Sequence, residues 1–305
     1  MFSHTLQLIM KISFLKYSLS AFLVSVALNA AGCEDAPPNA YTQDYVVQGV
    51  LIVDEPIGGI VVQRALPTTD TFSMERAVLR DADVSVTDGN GREFKLQFRE
   101  GGSSFGDYTF GDTSVKVQPN TLYNLTVKTA DGRILTGKTH TPNRFAWVSP
   151  PRTVLQFPTD TLNLPSPDSL KISWTETSGT LEYLICITAL DTVDYGKYLA
   201  PPTDEQNRRR KRFFDREENP RMYNLAEYGY LQANEANTVW NAFKWFGRNK
   251  VTVFAADANM LRWFKLYFQR GNQYNSNLGS IKGGIGMFGS AAQVTQEVFL
   301  LKNQP

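Results

Sequence analysis

Val84-Ser85-Val86-Thr87, Asp88-Gly89-Asn90-Gly91 and Phe94-Lys95-Leu96-Gln97-Phe98 decide the fold class of this chain. Apolar and polar residues alternate on both sides of a turn rich in Asp, Asn and Gly. That pattern predicts two half-buried strands joined as a hairpin. The rhythm continues outward in both directions. Tyr45 to Val53 is rich in β-branched residues, and Gly58-Gly59 turns into Ile60-Val61-Val62-Gln63. Downstream come Gly106 to Phe110, Leu122 to Val127 and Ile134 to Gly137, the last two flanking a turn at Asp131-Gly132. About seven short strands at regular spacing predict an immunoglobulin-like β-sandwich over residues 45–143, with a small β-barrel as the alternative.

Pro142, Pro150 and Pro151 predict a boundary, with a second, β-rich domain over 151–305. It opens with Leu170-Lys171-Ile172-Ser173-Trp174 and Leu181-Glu182-Tyr183-Leu184-Ile185-Cys186-Ile187. A strand ending in Trp, followed by one with an alternating Tyr, resembles the B and C strands of a fibronectin type III domain. Elaborations follow. A long charged insertion carries Arg208-Arg209-Arg210-Lys211-Arg212 between acids, so its local field partly cancels. Val239, Trp240, Phe243 and Phe246 predict a helix over 235–246. Lys250 to Ala256 reads as a strand, Asp257 is placed to N-cap a helix through Phe268, and Val294 to Leu301 reads as the last strand. The expected architecture is mainly β, two sandwich domains, the second carrying short helices and the charged insertion.

The N-terminus is an address. Met10-Lys11-Ile12-Ser13-Phe14-Leu15-Lys16 precedes an apolar run from Tyr17 to Ala31, then Gly32-Cys33. A basic start, an apolar segment too short to span a bilayer and small residues before a break describe a secretory signal. Ala30-Ala31-Gly32 directly before Cys33 resembles the lipobox of bacterial lipoproteins, with Ala30 where that motif usually has Leu. The resemblance implies cleavage after residue 32, acylation of Cys33 and anchorage of the protein to a membrane. The alternative is an ordinary signal peptide cut near Ala31 or Gly32. Residues 33–44, with Pro37 and Pro38, read as a tether. Glu34 and Asp35 resemble the acidic signal that sends Bacteroidota lipoproteins to the cell surface.

Charge and composition narrow the function. Removing residues 1–32 takes away Lys11 and Lys16 and no acid, so 31 basic residues become 29 against 30 acidic ones. A near-neutral chain has no electrostatic bias toward nucleic acid. Cys186 is the only cysteine besides Cys33, and its apolar neighbours predict a buried, inert thiol. His4 falls in the signal, which leaves His140 alone. One histidine neither builds a multi-ligand metal site nor completes a triad without a placed carboxylate, so it reads as a surface or interdomain residue. No His-Glu-x-x-His motif occurs. Trp240, Trp245, Trp263 and Tyr267 read as core rather than as an aromatic platform. The chain is expected to be no enzyme and to need no cofactor or metal.

Gly284-Ile285-Gly286-Met287-Phe288-Gly289 fits Gly-x-Gly-x-x-Gly, but it lies close to the C-terminus of a β-rich chain. The dinucleotide motif needs a strand before it and a helix after it. A loop that packs closely or adopts positive φ is the better reading. With Asn275-Ser276-Asn277, Gly283 to Gly289 resembles the C-terminal signature of an uncharacterised family of Bacteroidota surface lipoproteins, of the domain-of-unknown-function 4249 type. Tyr45 to Gly49 and Tyr123 to Val127 look like that family too. Gly283, Gly284, Gly286, Phe288 and Gly289 are the signature residues. Members are commonly encoded beside TonB-dependent outer-membrane receptors. The resemblance therefore implies a surface-facing outer-membrane lipoprotein that assists such a receptor in nutrient uptake. A stand-alone carbohydrate-binding or adhesive module is the alternative.

Overall fold

A computed structural model of the chain describes residues 43–67, 70–101, 105–160, 163–166, 170–178, 180, 182–191, 193–206, 226–268 and 279–302, with the backbone alone at 226–228, 230 and 266–268. Cys33, Glu34, Asp35 and the basic run 208–212 lie outside these residues.

The fold is mainly β, as the alternation predicts. The hairpin around Asp88-Gly89-Asn90-Gly91 is β3 (Asp83–Asp88) and β4 (Glu93–Arg99), paired antiparallel with Val84 opposite Leu96 and Val86 opposite Phe94. Its turn closes on Asp88, whose Oδ1 accepts the backbone N–H of Asn90 at 2.9 Å and of Arg92 at 3.0 Å. Gly91 takes φ +83°, a conformation cheap only for glycine. Together with β5 (Asp107–Phe110), β6 (Leu122–Lys128), β7 (Ile134–His140) and β15 (Ile281–Lys282), the hairpin forms a six-stranded sheet in the order β15-β7-β6-β3-β4-β5. A helical turn, α1 (Met74–Ala77), precedes β3.

The second large sheet has the order β12-β11-β14-β16-β1-β2. Its strands are β1 (Tyr45–Ile52), β2 (Val61–Arg64), β11 (Tyr183–Ala189), β12 (Ala226–Leu231), β14 (Gly247–Ala256) and β16 (Ile285–Leu301). The short β9 (Val154–Gln156) also joins β16, in parallel. A three-stranded sheet, β13 (Glu235–Asn237), β10 (Lys171–Trp174) and β8 (Trp147–Ser149), completes the β structure.

These sheets enclose two cores. The first is shared by β1, β2 and the six-stranded sheet, and includes Val47, Leu51, Val62, Val86, Phe94, Tyr123 and Leu135. The second lies between the three-stranded sheet and β11, β14 and β16, and includes Ile172, Trp174, Tyr183, Val253 and Leu300. Trp174 and Tyr183, the pair that suggested a fibronectin-like B–C arrangement, meet edge-on at 5.3 Å between centroids.

One strand serves both cores. β16 is 17 residues long; Phe288 near its start belongs to the first core, and Ala292, Val298 and Leu300 belong to the second. Its first half pairs in parallel with β1, Val47 opposite Gly286 and Gly49 opposite Phe288. Its second half pairs antiparallel with β14. The expected division into a 45–143 sandwich and a 151–305 domain is therefore crossed by β1 and β2, which share a sheet with the C-terminal strands. Residues 44–305 form one compact unit.

Two local expectations are corrected. Residues 235–246 are not a helix: Glu235 to Asn237 extend as β13 beside β10, and Trp240 to Ala242 form one 3-10 turn. Trp240, Phe243 and Phe246 are all buried while Val239 is 46% exposed, so the proposed helical face does not hold together. The glycine-rich stretch is a loop only at its start, since β16 already begins at Ile285. Strand Lys250–Ala256 and the helix after Asp257 stand as read: α2 (Ala258–Phe268) lays Met260, Leu261 and Phe264 on Leu184, Ala256 and Ala291 of the large sheet. Cys186 is buried, with its sulfur 3.2 Å from Thr188 Oγ1.

Candidate functional site

The signature glycines are packing devices. At Gly286, φ is +120° and a Cβ would lie 2.0 Å from the carbonyl oxygen of Val47. At Gly284 a Cβ would lie 2.8 Å from the Tyr45 oxygen, and at Gly283, φ +82°, 2.6 Å from the Ile134 oxygen. Bare backbone is what lets β16 enter between β1 and β7. Phe288 then fills the space left by two further glycines: a Cβ on Gly137 would come within 2.8 Å of the Phe288 Cβ, and one on Gly49 within 3.4 Å of its ring. Gly289 completes the set under the start of α2, where a Cβ would lie 3.0 Å from Asp257 Oδ1 and Met260 N. The stretch forms a seam between two cores.

Where β7 passes the seam, a polar joint forms. The Thr139 hydroxyl donates to Asp257 Oδ2 at 2.7 Å and lies 2.7 Å from Ser290 Oγ. Asp257 Oδ1 accepts the N–H of Met260 at 2.9 Å, which caps α2, and of Ser290 at 3.2 Å. Ser290 Oγ reaches the carbonyl of His140 at 3.2 Å. Asn259 donates to the carbonyls of Lys138 at 2.7 Å and Phe288 at 3.0 Å. Burial pushes the Asp257 carboxyl above the ordinary carboxylate range, although its hydrogen-bond donors pull the other way.

Beside this joint opens a cleft of about 540 Å³, within the range of small-molecule sites. Its walls are the ends of β6 and β7, the 141–143 linker, Ser178, Thr180 and the start of α2. Asn120, Leu122, His140, Asn143, Ser178 and Thr180 line it. The linker is held in place on both sides: Thr141 donates to the Gln118 carbonyl at 2.7 Å, Thr177 donates to the Asn143 carbonyl at 2.9 Å, and Asn143 donates to Ser178 Oγ at 2.6 Å. His140 is exposed here. The sequence reads it as a surface or interdomain histidine, and an exposed position fits the first of these. What that reading missed was the cleft, because one of its walls comes from Asp257 to Asn259, 117 to 119 positions further along the chain.

The cleft carries Asp257 and His140, but Asp257 is turned into the joint. Among the described residues no group of three His, Cys, Asp or Glu side chains is placed to hold a metal ion. No described helix is long and apolar enough to cross a membrane. Trp240 and Trp245 are buried, so they belong to the core and offer no aromatic platform.

The family described as Domain of unknown function (DUF4249) matches residues 34–297, from the residue after Cys33 through most of β16. The chain belongs to the DUF4249 family. No curated protein matches it. Among solved structures, the crystal structure of DIP-gamma IG1+IG2 is similar at 5% identity, with 87% of this chain and 99% of that one covered and a TM-score of 0.21. Salmonella alpha-2-macroglobulin reacted with methylamine is similar at 12% identity, with 88% of this chain and 15% of that one covered and a TM-score of 0.23. Scores this low leave the fold to rest on the strand pairing of this DUF4249 chain itself.

Proposed function

We propose that this DUF4249 protein is a lipoprotein of the bacterial outer membrane, anchored through Cys33 and facing the cell surface, that acts as an accessory binding or gating partner of a TonB-dependent transporter. The observation that carries the reading is the sequence around Cys33: a signal segment, small residues, the cysteine, the acids Glu34 and Asp35, and a short Pro-containing tether. The family match beginning at residue 34 agrees with a working protein that starts at Cys33.

The fold suits that role. The tether leads into β1 at Tyr45, whose carbonyl lies against Gly284 at the Ile134 end of β7. The cleft lies at the His140 end of the same strand. Six residues of strand separate the two ends, roughly 20 Å at about 3.3 Å per residue. A lipid at Cys33 would hold the protein at the membrane. Anchorage raises the effective concentration of the site near a transporter without any new contact.

Affinity purification from native outer membranes through a C-terminal tag tests the reading. A TonB-dependent receptor recovered in near-equal amount is the expected result, and Cys33→Ser should release the protein from the membrane fraction. Recovery with no β-barrel partner would overturn the accessory role and favour a stand-alone binding module.

A further inference from the structure

We propose that the cleft beside His140 binds a neutral oligosaccharide through side chains alone. The inference deepens the accessory reading by naming a cargo, and rests on that reading only for its biological setting. The chemistry of the walls argues for it by comparison of ligand classes. Asn120 and Asn143 contribute carboxamides to the lining and Ser178 and Thr180 contribute hydroxyls, with Asn143 and Ser178 joined by one hydrogen bond at 2.6 Å, so the walls hold both donors and acceptors. That mixture matches sugar hydroxyls, each of which donates once and accepts twice. Leu122, 37% exposed, supplies apolar contact for the C–H face of a sugar ring.

Other classes fit less well. An anion would find Lys138 as the one permanent cation in the lining, while the start of α2 is already capped by the Asp257 carboxyl. A divalent cation would find one carboxylate, committed to Thr139, Met260 and Ser290. An extended peptide would need the open edge of β7, but the Lys138 and His140 carbonyls there already accept from Asn259 and Ser290. Recognition is left to side chains, and the volume of about 540 Å³ is sufficient for a short oligosaccharide.

Saturation-transfer NMR on the full lipoprotein, in a detergent without a sugar headgroup, tests this. The probes are maltotriose, cellotriose, mannotriose, xylotriose and tri-N-acetylchitotriose, with trialanine as the peptide comparison. The expected result is saturable transfer to at least one trisaccharide and none to trialanine. Two variants attack the cleft. Ser178→Trp fills it from an exposed position. Asn120→Asp removes its donors but tolerates the left-handed backbone there, φ +47°. Each should weaken binding at least tenfold with thermal melting unchanged, while Lys95→Ala on the distant β4 leaves it intact. If Ser178→Trp fails to fold, Asn120→Asp decides alone. No transfer to any trisaccharide, equal binding in the variants, or transfer to trialanine instead would overturn the proposal. A receptor that co-purifies while no sugar binds would overturn the cleft assignment and leave the accessory role standing; sugar binding with no receptor would do the reverse.

Discussion

At the scale of single residues, the glycines separate into two kinds that the sequence does not distinguish. Gly132 sits in the β6–β7 turn at φ +86° with nothing within 4 Å of a built Cβ. Gly286 has φ +120° and the Val47 carbonyl oxygen 2.0 Å from that position. A turn glycine is required by φ alone; a seam glycine is required by φ and by the neighbouring strand. Gly132→Ala should therefore cost about 1 kcal/mol, the strain of a left-handed alanine. Gly286→Ala should cost ~3 kcal/mol or more, because the backbone of β1 cannot withdraw without breaking its ladder. Urea denaturation of the two variants checks the order, and equal losses would show that β16 can enter the seam without bare backbone. The glycine-rich pattern was legible as a demand for close packing. What it packs against was not, since Val47 lies 239 residues away in the chain.

At the scale of elements, legibility followed the range of the interactions that fix each element. The β3–β4 hairpin was readable because alternation and the Asp88 turn are local. So was α2, because its cap is the preceding residue. The stretch 235–246 misled because its aromatic spacing imitates a helix, whereas pairing of Ile172 with Ala236, 64 residues apart, decides for a strand. The cap of α2 also yields a pH dependence. Burial raises the Asp257 carboxyl above its ordinary value near ~3.9, so the folded state holds this proton more tightly than the unfolded one. Its stabilising contribution is complete below the unfolded value and is lost as pH rises through the raised folded value. The stability of the wild type minus that of Asp257→Asn should therefore fall as pH is raised from about 4 toward neutrality. Urea denaturation of both proteins across that range measures it. A difference that grows with pH would mean that the donors from Thr139, Met260 and Ser290 outweigh burial and hold the carboxylate ionised.

At the scale of the whole molecule, the prolines at 142, 150 and 151 suggested where one sandwich ends and the next begins. The two cores do lie on either side of that linker, yet β1 and β16 join across it. Parallel pairing between the first and last strands carries no short-range signal, because neither turn chemistry nor loop length specifies it. The consequence is energetic. In a fragment 44–143, β1 would lose its β16 neighbour and the first core would lose Phe288, which is fully buried. In a fragment 144–305, that ring and the first half of β16 would be left exposed. Losing a buried phenylalanine alone costs ~3–5 kcal/mol. A domain has only ~5–15 kcal/mol of stability to lose, and the missing ladder adds to the deficit. Neither fragment should show a cooperative urea transition by itself, and mixing the two should restore a single one, read by near-ultraviolet circular dichroism. A cooperative transition for 44–143 alone would show that the N-terminal sandwich is autonomous and that β16 reinforces it from outside.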